Sequence, residues 1–237
     1  MNKNYLNELL KKSNNLQAGN NCLIFKNVKI GKDVSIGNNV VIYEDTIIAD
    51  NVSILDNSII GKRIKYGPNS SRKIPKTPPL KIGSNVIIGS SVVLYRGSRI
   101  EKNVYIADGV NIGELCKLGK DSVIGKGAML QFNIAVGEKT HIMNCSQITE
   151  FTEIGRNVFI GPDVSTSSDP SFARGKIRIK KVVIKDFARI GSNATLVPGI
   201  TIGENSLVAA GSVVFGNVPA GKVVLGNPAK IVWKARV

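Results

Sequence analysis

Aliphatic residues recur at every sixth position along most of this chain. Between residues 82 and 160 the register holds for fourteen consecutive hexads, from Ile82 to Ile160. The same spacing runs earlier over residues 30–60 and later over residues 184–214, so that about twenty-five hexads are present. A period of six matches neither the 3.6-residue period of an amphipathic helix nor the alternation of a single half-buried strand.

This period is typical of a triangular coil in which each side is one short strand. The aliphatic residue points inward, and the fifth residue of each hexad is usually small or β-branched, as at Val86 and Val92. Three hexads make one coil, and stacked coils form three parallel sheets around a continuous aliphatic core. We therefore predict an all-β protein, a left-handed parallel β-helix of about eight coils.

The hexad register divides the chain into segments. Residues 1–20 form a predicted N-terminal cap, residues 21–218 the β-helix, and residues 219–237 a C-terminal cap. The register breaks at two predicted loops, residues 62–80 and 166–183. Residues 62–81 contain seven basic and no acidic residues, which fits either a solvated excursion or a basic arm that contacts ligand phosphates. The second loop has the length of an active-site lid or binding loop.

Composition indicates which kinds of partner the protein binds and in which cellular compartment it works. A formal net charge of +15 suggests anionic partners. Because the sequence has no helix-turn-helix pattern, zinc-ligand spacing or clustered aromatics, we expect no nucleic acid and prefer a phosphorylated cofactor or a sugar nucleotide. Three widely spaced cysteines indicate a reducing cytoplasm. We also expect no signal peptide, no membrane span and no membrane partner.

The hexads together with VAAGSVV and NVPAGKVVLGNPAK near the C-terminus resemble the bacterial hexapeptide-repeat acyltransferases. The resemblance covers about residues 20–234. It implies a homotrimer with active sites between subunits, acetyl-CoA as acyl donor, and no metal requirement. For the donor, it points to the later coils and the cap, with these candidate contacts: Ser192, Ala209, Ala210, Lys222 and Lys230.

One stretch, HIMNCSQITEFTEIGRNVFIGPDVSTSSDPSFAR, is similar to the N-acetyltransferases that act on an amino group of a nucleotide-linked sugar. Such enzymes supply precursors for surface polysaccharides. Four residues match their motif, namely Asn144, Glu150, Asp169 and Arg174. Four positions depart from it, namely Cys145, Thr149, Ser167 and Ser168.

Direct acyl transfer needs a neutral nucleophile, a route for its proton and a donor to the developing oxyanion. His141 is the one histidine of the chain. It precedes the inward Ile142 and so faces outward, as a general base or as a surface residue. Asn144 either accepts a hydrogen bond from the attacking amine or is a corner residue.

Each of the charged candidate residues also has two alternative roles. Glu150 and Asp169 either bind sugar hydroxyls or a cationic amine, or are solvated charges. Arg174 either pairs with a carboxylate or phosphate or lies free in solvent.

Three other functions share this predicted fold or this chemistry. A zinc-dependent carbonic anhydrase would need three histidine ligands, which a chain with one histidine lacks. A non-catalytic β-solenoid binding module would need neither the loops nor the GNPAK segment. An O-acetyltransferase acting on a saccharide hydroxyl, with His141 as base, is the alternative to N-acetylation.

Overall fold

The computed structural model describes residues 4–12, 15–70, 74–175 and 178–234. It is a left-handed parallel β-helix with three sheets, A, B and C, which the chain visits in turn. Strands β1 to β31 are numbered in chain order. Each strand of β1–β26 pairs in parallel with the strand three places later, for example Ile106 opposite Ile124. One coil therefore takes three hexads where no loop interrupts it.

The strands of each sheet follow in stacking order. Sheet A contains β1 (Gln17–Ala18), β4 (Ser35–Ile36), β7 (Ser53–Ile54), β10 (Ile87–Ile88), β13 (Tyr105–Ile106), β16 (Val123–Ile124), β19 (His141–Ile142), β22 (Phe159–Ile160), β25 (Arg189–Ile190), β28 (Leu207–Val208), β30 (Lys222–Gly226) and β31 (Ala229–Lys234). Sheet B contains β2 (Leu23–Ile24), β5 (Val41–Ile42), β8 (Ile59–Lys62), β11 (Val93–Tyr95), β14 (Asn111–Ile112), β17 (Met129–Leu130), β20 (Gln147–Ile148), β23 (Ser165–Thr166), β26 (Thr195–Leu196) and β29 (Val213–Val214). Sheet C contains β3 (Lys29–Ile30), β6 (Ile47–Ile48), β9 (Lys81–Ile82), β12 (Arg99–Ile100), β15 (Lys117–Leu118), β18 (Ala135–Val136), β21 (Glu153–Ile154), β24 (Val183–Ile184) and β27 (Thr201–Ile202).

The fold class is confirmed, but the expected eight coils are too few. Sheet A alone stacks eleven parallel strands, from β1 to β30, which gives about eleven turns. The aliphatic register that we read from the sequence begins at residue 30, but the first coil begins earlier. Its inward positions on β1 and β2 are Ala18 and Ile24. The register also skips Thr166, a buried hydroxyl residue at an inward position.

Each coil turns at three corners, which we name by the sheets they join. In the coil that carries His141, residues 143–145 form the AB corner, 149–151 the BC corner and 155–157 the CA corner. Many corners place a residue in the left-handed region, such as Asn39 at φ 56° and Asn57 at φ 61°. Asparagine tolerates this conformation, and its side-chain amide also bonds to the next coil, as from Asn39 to Asn57 at 3.1 Å.

Both ends of the β-helix are covered. Helix α1 (Leu6–Lys12) packs Leu6 and Leu9 against the first coil. At the other end β30 extends sheet A, and β31 folds back along it in antiparallel pairing. Among the described residues, the one helix is seven residues long, so no helix of the described chain is long and apolar enough to cross a bilayer.

The two interruptions leave from the same side of the β-helix. Residues 63–80 connect β8 of sheet B to β9 of sheet C, and residues 167–182 connect β23 of sheet B to β24 of sheet C. Both loops therefore project from the BC corner. Four strands of sheet B lie between β8 and β23, so the two loops leave the helix about 24 Å apart at the usual strand spacing.

Candidate functional site

The AB corner aligns several predicted site residues in one column. Backbone hydrogen bonds connect successive coils there, from Asp163 N to Asn144 O at 3.0 Å, from Asn193 N to Pro162 O at 2.9 Å, and from Gly211 N to Ser192 O at 2.8 Å. Asn144, Ser192 and Ala210 thus share this corner. At the usual strand spacing, the three steps from Asn144 to Ala210 cover about 14 Å.

The Asn144 side chain already has one role in the fold. Its Oδ1 accepts a hydrogen bond from the backbone N–H of Lys126 at 3.0 Å. Asn38 and Asp108 make the same bond to the preceding coil at their own AB corners. A carbonyl oxygen has two lone pairs, so Asn144 Oδ1 can accept a second hydrogen bond from outside the corner. The left-handed residue of this corner is its neighbour Cys145, at φ 57°.

The later part of the column is an open surface of small residues. Ala209 donates its backbone N–H to Val224 O at 2.9 Å, which joins the corner to the C-terminal hairpin. A Cβ placed on Gly211 would meet no atom within 4 Å. Such an edge suits an extended, flexible ligand arm that lies against backbone, as the pantetheine arm of acetyl-CoA would.

The structure separates the two lysines proposed for the donor phosphates. Exposed Lys230 pairs with Leu225 in the hairpin, next to the AB corner. Lys222 begins β30 at the opposite end of that strand, nearer the CA corner. Lys230 therefore lies beside the column of small residues, and Lys222 lies three positions before Leu225 along β30.

His141 lies outside this column, on the outer face of sheet A. It is exposed at the start of β19, between Val123 and Phe159 on the adjacent strands. It lines a shallow depression of about 240 Å³ with Lys139, Asn157, Val158, Phe159 and Arg189. Asn144 is not part of that depression.

A larger groove lies at the BC corner, beside the second loop. Its volume is about 420 Å³, and it brings the predicted residues Glu150 and Asp169 together. Glu150 is 4% exposed. The rest of the lining is formed by Gln131, Thr149, Ser167, Ser168, Phe172, Ala173 and Ile179. Carboxylate, amide and hydroxyl groups around an exposed aromatic ring form a surface suited to a polyhydroxylated ligand.

Asp169 organises the loop that borders this groove. Its Oδ1 accepts hydrogen bonds from Ser171 N at 2.8 Å and Ser171 Oγ at 2.6 Å, and its Oδ2 accepts one from Ala173 N at 2.8 Å. The hydroxyl of Ser171, followed by the two backbone N–H groups, holds the pKa of the Asp169 carboxyl below its usual range. These bonds fix Phe172, which is 83% exposed and adopts φ 50°.

Arg174 is exposed on the same loop and does not line the groove. Of the first loop, Arg72 and Lys73 lie outside the described residues. Among the described residues, no group of three or more His, Cys, Asp and Glu side chains is placed to hold a metal ion.

Sequence reasoning missed several groove residues. Gln131 and Thr149 occupy equivalent places at successive BC corners, because β17 and β20 before them pair in register. Gln131 holds the same position as Thr149 in the preceding coil, so the repeat register would have identified it from the sequence. Phe172 follows no repeat register, because it lies in the loop.

The comparisons with known proteins rest on the repeats. The bacterial transferase hexapeptide model (six repeats) matches residues 27–62 and 181–216, and the hexapeptide repeat of succinyl-transferase matches residues 79–114. The chain belongs to the bacterial hexapeptide-repeat transferase family. In a hexapeptide-repeat acetyltransferase from Vibrio cholerae, the match is 31% identical over 51% of this chain and 74% of the other, with a TM-score of 0.47.

Other known proteins match this chain more narrowly or more distantly. A 2,3,4,5-tetrahydropyridine-2,6-dicarboxylate N-acetyltransferase from Clostridium perfringens is 65% identical over 34 residues, which is 14% of this chain and 14% of that protein. The match thus spans about a seventh of that relative's length. The UDP-N-acetylglucosamine acyltransferase of Francisella novicida covers 86% of this chain and 64% of its own, at 18% identity and a TM-score of 0.59. That likeness is one of fold.

Proposed function

We propose that this protein is an acetyl-CoA-dependent N-acetyltransferase that acts on the amino group of a nucleotide-linked amino sugar. The observation that carries the proposal is the AB column, in which Asn144 is aligned with the open, small-residue edge at Ser192 and Ala210. Acetyl-CoA laid along this edge, with its phosphates near Lys230, would present its thioester toward Asn144. Membership of the hexapeptide-repeat transferase family supports acyl transfer.

The reaction is a direct transfer. The amine lone pair attacks the thioester carbonyl carbon, the C–S bond breaks, and CoA leaves as the thiol after taking up the proton that the amine loses. Asn144 Oδ1, with its second lone pair, accepts a hydrogen bond from the amine and orients it. His141 is the candidate proton acceptor, since its side chain projects outward three residues earlier.

A complete site needs a second subunit. Within one chain, Asn144 at the AB corner and Glu150 at the BC corner are separated by strand β20 (Gln147–Ile148), so an amine beside Asn144 would lie away from Glu150 of the same chain. Outward residues of sheets A and B are often apolar, including Tyr105 and Met129, which are 42% and 43% exposed. We therefore propose a homotrimer in which the AB corner of one subunit faces the BC corner of the next.

The alternative function is that of an O-acetyltransferase that uses His141 as general base. It is favoured by the exposure of His141, because a hydroxyl nucleophile needs a base more than a neutral amine does. We expect His141→Asn to lower kcat about a hundredfold if His141 is the base. A near wild-type rate would make His141 a surface residue and leave Asn144 as the orienting group.

The deciding assay is CoA-thiol release from acetyl-CoA with 3-amino and 4-amino nucleotide sugars, compared with hydroxylated sugars. Release with an amino sugar nucleotide is expected, and release only with hydroxylated sugars would replace the proposal by the alternative function. No release with either class, together with no thermal stabilisation by acetyl-CoA, would favour a binding module.

Complementation between two inactive variants tests whether the site is shared between subunits. We expect Asn144→Ala and Glu150→Gln to be inactive separately. Co-expressed, they should recover about a quarter of wild-type activity, because in a random mixture one interface in four has both native residues. Mixtures that stay inactive would place the whole site within one subunit.

A further inference from the structure

Phe172 projects from the second loop with most of its ring exposed. It is 83% exposed, the highest fraction among the large hydrophobic residues that the structure describes. It lines the groove of about 420 Å³ at the BC corner, together with Ile179 and with polar side chains. A largely exposed aromatic ring in a groove of this size is typical of a binding site for a small molecule.

The backbone at this position adopts a conformation that bulky residues rarely take. Phe172 and Ala173 are consecutive left-handed residues, at φ 50° and 60°. At the corners of the β-helix the turn of the coil imposes such a conformation, but the loop lies outside the coils. Here the hydrogen bonds that Asp169 accepts from Ser171 and Ala173 maintain it. An unfavourable backbone conformation that is held by dedicated bonds points to a function of the ring that it presents.

The groove has an acidic lining, and a lysine is anchored beside it. Glu150 and Asp169 are part of the lining, and among the described residues the lining contains no Lys, Arg or His. The backbone N–H of Lys180 donates to the carbonyl oxygen of the lining residue Ser168 at 2.7 Å. A Cβ placed on Gly199 would meet the Lys180 side chain at 3.1 Å, so the stem of this lysine packs over the next BC corner. A ligand with a diphosphate would therefore place its phosphates outside the groove and an uncharged or cationic ring inside it.

On the basis of the proposed N-acetyltransferase function, we propose that this groove binds the sugar ring of the acceptor, that Phe172 stacks on the C–H face of that ring, and that the sugar carries no carboxylate. The face of an aromatic ring is negative and attracts partly positive C–H groups. The hydroxyls of the sugar meet the amide, hydroxyl and carboxylate groups of the lining. A carboxylate on the sugar would face the like charges of Glu150 and Asp169, which costs affinity. The diphosphate lies outside the groove, near Lys180 and exposed Arg174.

The position of the groove favours the sugar over the nucleobase as the group that stacks on Phe172. In the proposed trimer, the BC corner of one subunit faces the AB corner of the next, which carries Asn144. The amine that reacts belongs to the sugar, so the sugar must lie between these two corners. A base stacked on Phe172 would leave the amine on the far side of the diphosphate, away from Asn144.

Titration calorimetry of the full chain without acetyl-CoA tests the stacking contact. The ligands are UDP and dTDP derivatives of 3-amino-3-deoxyglucose and 4-amino-4-deoxyglucose, together with UDP and dTDP alone. We expect Phe172→Ala to raise the Kd of the amino sugar nucleotide about tenfold, and Phe172→Tyr, which keeps a flat ring, to stay within about threefold of wild type. The matched control is Phe187→Ala, which replaces an exposed phenylalanine at φ 60° of the CA corner and should leave this Kd unchanged.

The charge of the groove predicts selectivity between acceptors. Counterparts of the same amino sugar nucleotides that carry a carboxylate at C6 of the sugar should show kcat/KM values at least about a hundredfold lower, because like charges brought together weaken binding. The CoA-thiol release assay measures this ratio on the wild-type protein.

Four results would overturn the proposal for this groove and leave the proposed acyl transfer intact. The first is an unchanged Kd in Phe172→Ala. The second is an equal loss of affinity for UDP or dTDP alone, which would place the base on Phe172. The third is turnover of the sugar carboxylates as fast as that of the neutral sugars. The fourth is dissociation of the trimer in Phe172→Ala with an unchanged Kd, seen by analytical ultracentrifugation, which would assign the ring to a subunit contact. In contrast, no binding of any amino sugar nucleotide to the wild-type protein would overturn both proposals.

Discussion

Arg96 connects the first loop to the β-helix, and its replacement should loosen that loop. The residue is 8% exposed at the BC corner after β11. Its guanidinium donates from Nη1 to Glu44 O at 2.9 Å, from Nε to Thr77 O at 3.3 Å and from Nη2 to Asp45 Oδ2 at 3.1 Å. One buried cation therefore joins the coil at residues 44–45 to the returning end of the loop.

The expected loss follows from these contacts. Arg96→Met keeps most of the apolar stem but removes the three hydrogen bonds. A bond from a charged donor to a carbonyl contributes about 1.5 kcal/mol or more, and two such bonds are lost. The Asp45 contact adds no more than about 1 kcal/mol, because the Asp45 side chain is 34% exposed. We expect the free energy of unfolding to fall by about 3 kcal/mol, most of it from the two lost bonds to carbonyl oxygens.

Urea unfolding followed by circular dichroism measures this loss, and limited trypsin digestion at Lys65 and Lys76 reports on the loop. The matched control is Arg99→Met, three residues away, since both side chains of the Arg99–Glu101 pair are exposed at 63% and 42%. It should change the unfolding free energy by less than about 0.5 kcal/mol. Equal stability of the Arg96 variant, Arg99 variant and wild type, with unchanged cleavage, would refute the reasoning.

Three further outcomes follow from local chemistry. Burial raises the pKa of Cys116 to about 12, so iodoacetamide should label exposed Cys145 in the native protein and Cys116 only after unfolding. Asp169→Asn removes an acceptor for Ala173 N, so KM for the acceptor should rise severalfold while KM for acetyl-CoA stays constant. The hydrogen bond from Asn27 and, after it, Arg96 lowers the pKa of Asp45, so the stability difference between wild type and Arg96→Met should shrink as pH falls from about 4 through that lowered pKa.

The register predicted the core in detail but could not predict the count of coils. Inward aliphatic residues such as Ile124 and Leu130 are fully buried, as the six-residue period requires. The count failed where an inward residue was Ala18 or Thr166, because the packing of stacked coils accepts a small or hydroxyl side chain where the pattern demands an aliphatic one. Burial depends on the neighbouring coils, which the pattern of a single hexad does not contain.

The loops were predicted as breaks, but their shared corner was not. The sequence shows that residues 62–80 and 166–183 leave the register, and that both are basic. That both project from the BC corner follows only from the identity of the strands before them, β8 and β23, which belong to sheet B. Assigning those strands requires an exact count of hexads from the N-terminus.

Corner position, more than sequence distance, decides which candidate residues act together. Asn144 and Glu150 are a single hexad apart, yet the strand between them places them at different corners. Asn144 and Ala210 are far apart in the sequence, yet the stacked coils place them at the same corner. The motif that links Asn144 to Glu150 in sequence therefore spans two corners, and a single chain of this fold holds the two residues apart. In the trimer that we propose, a neighbouring subunit whose BC corner meets the AB corner would restore the proximity that the motif implies.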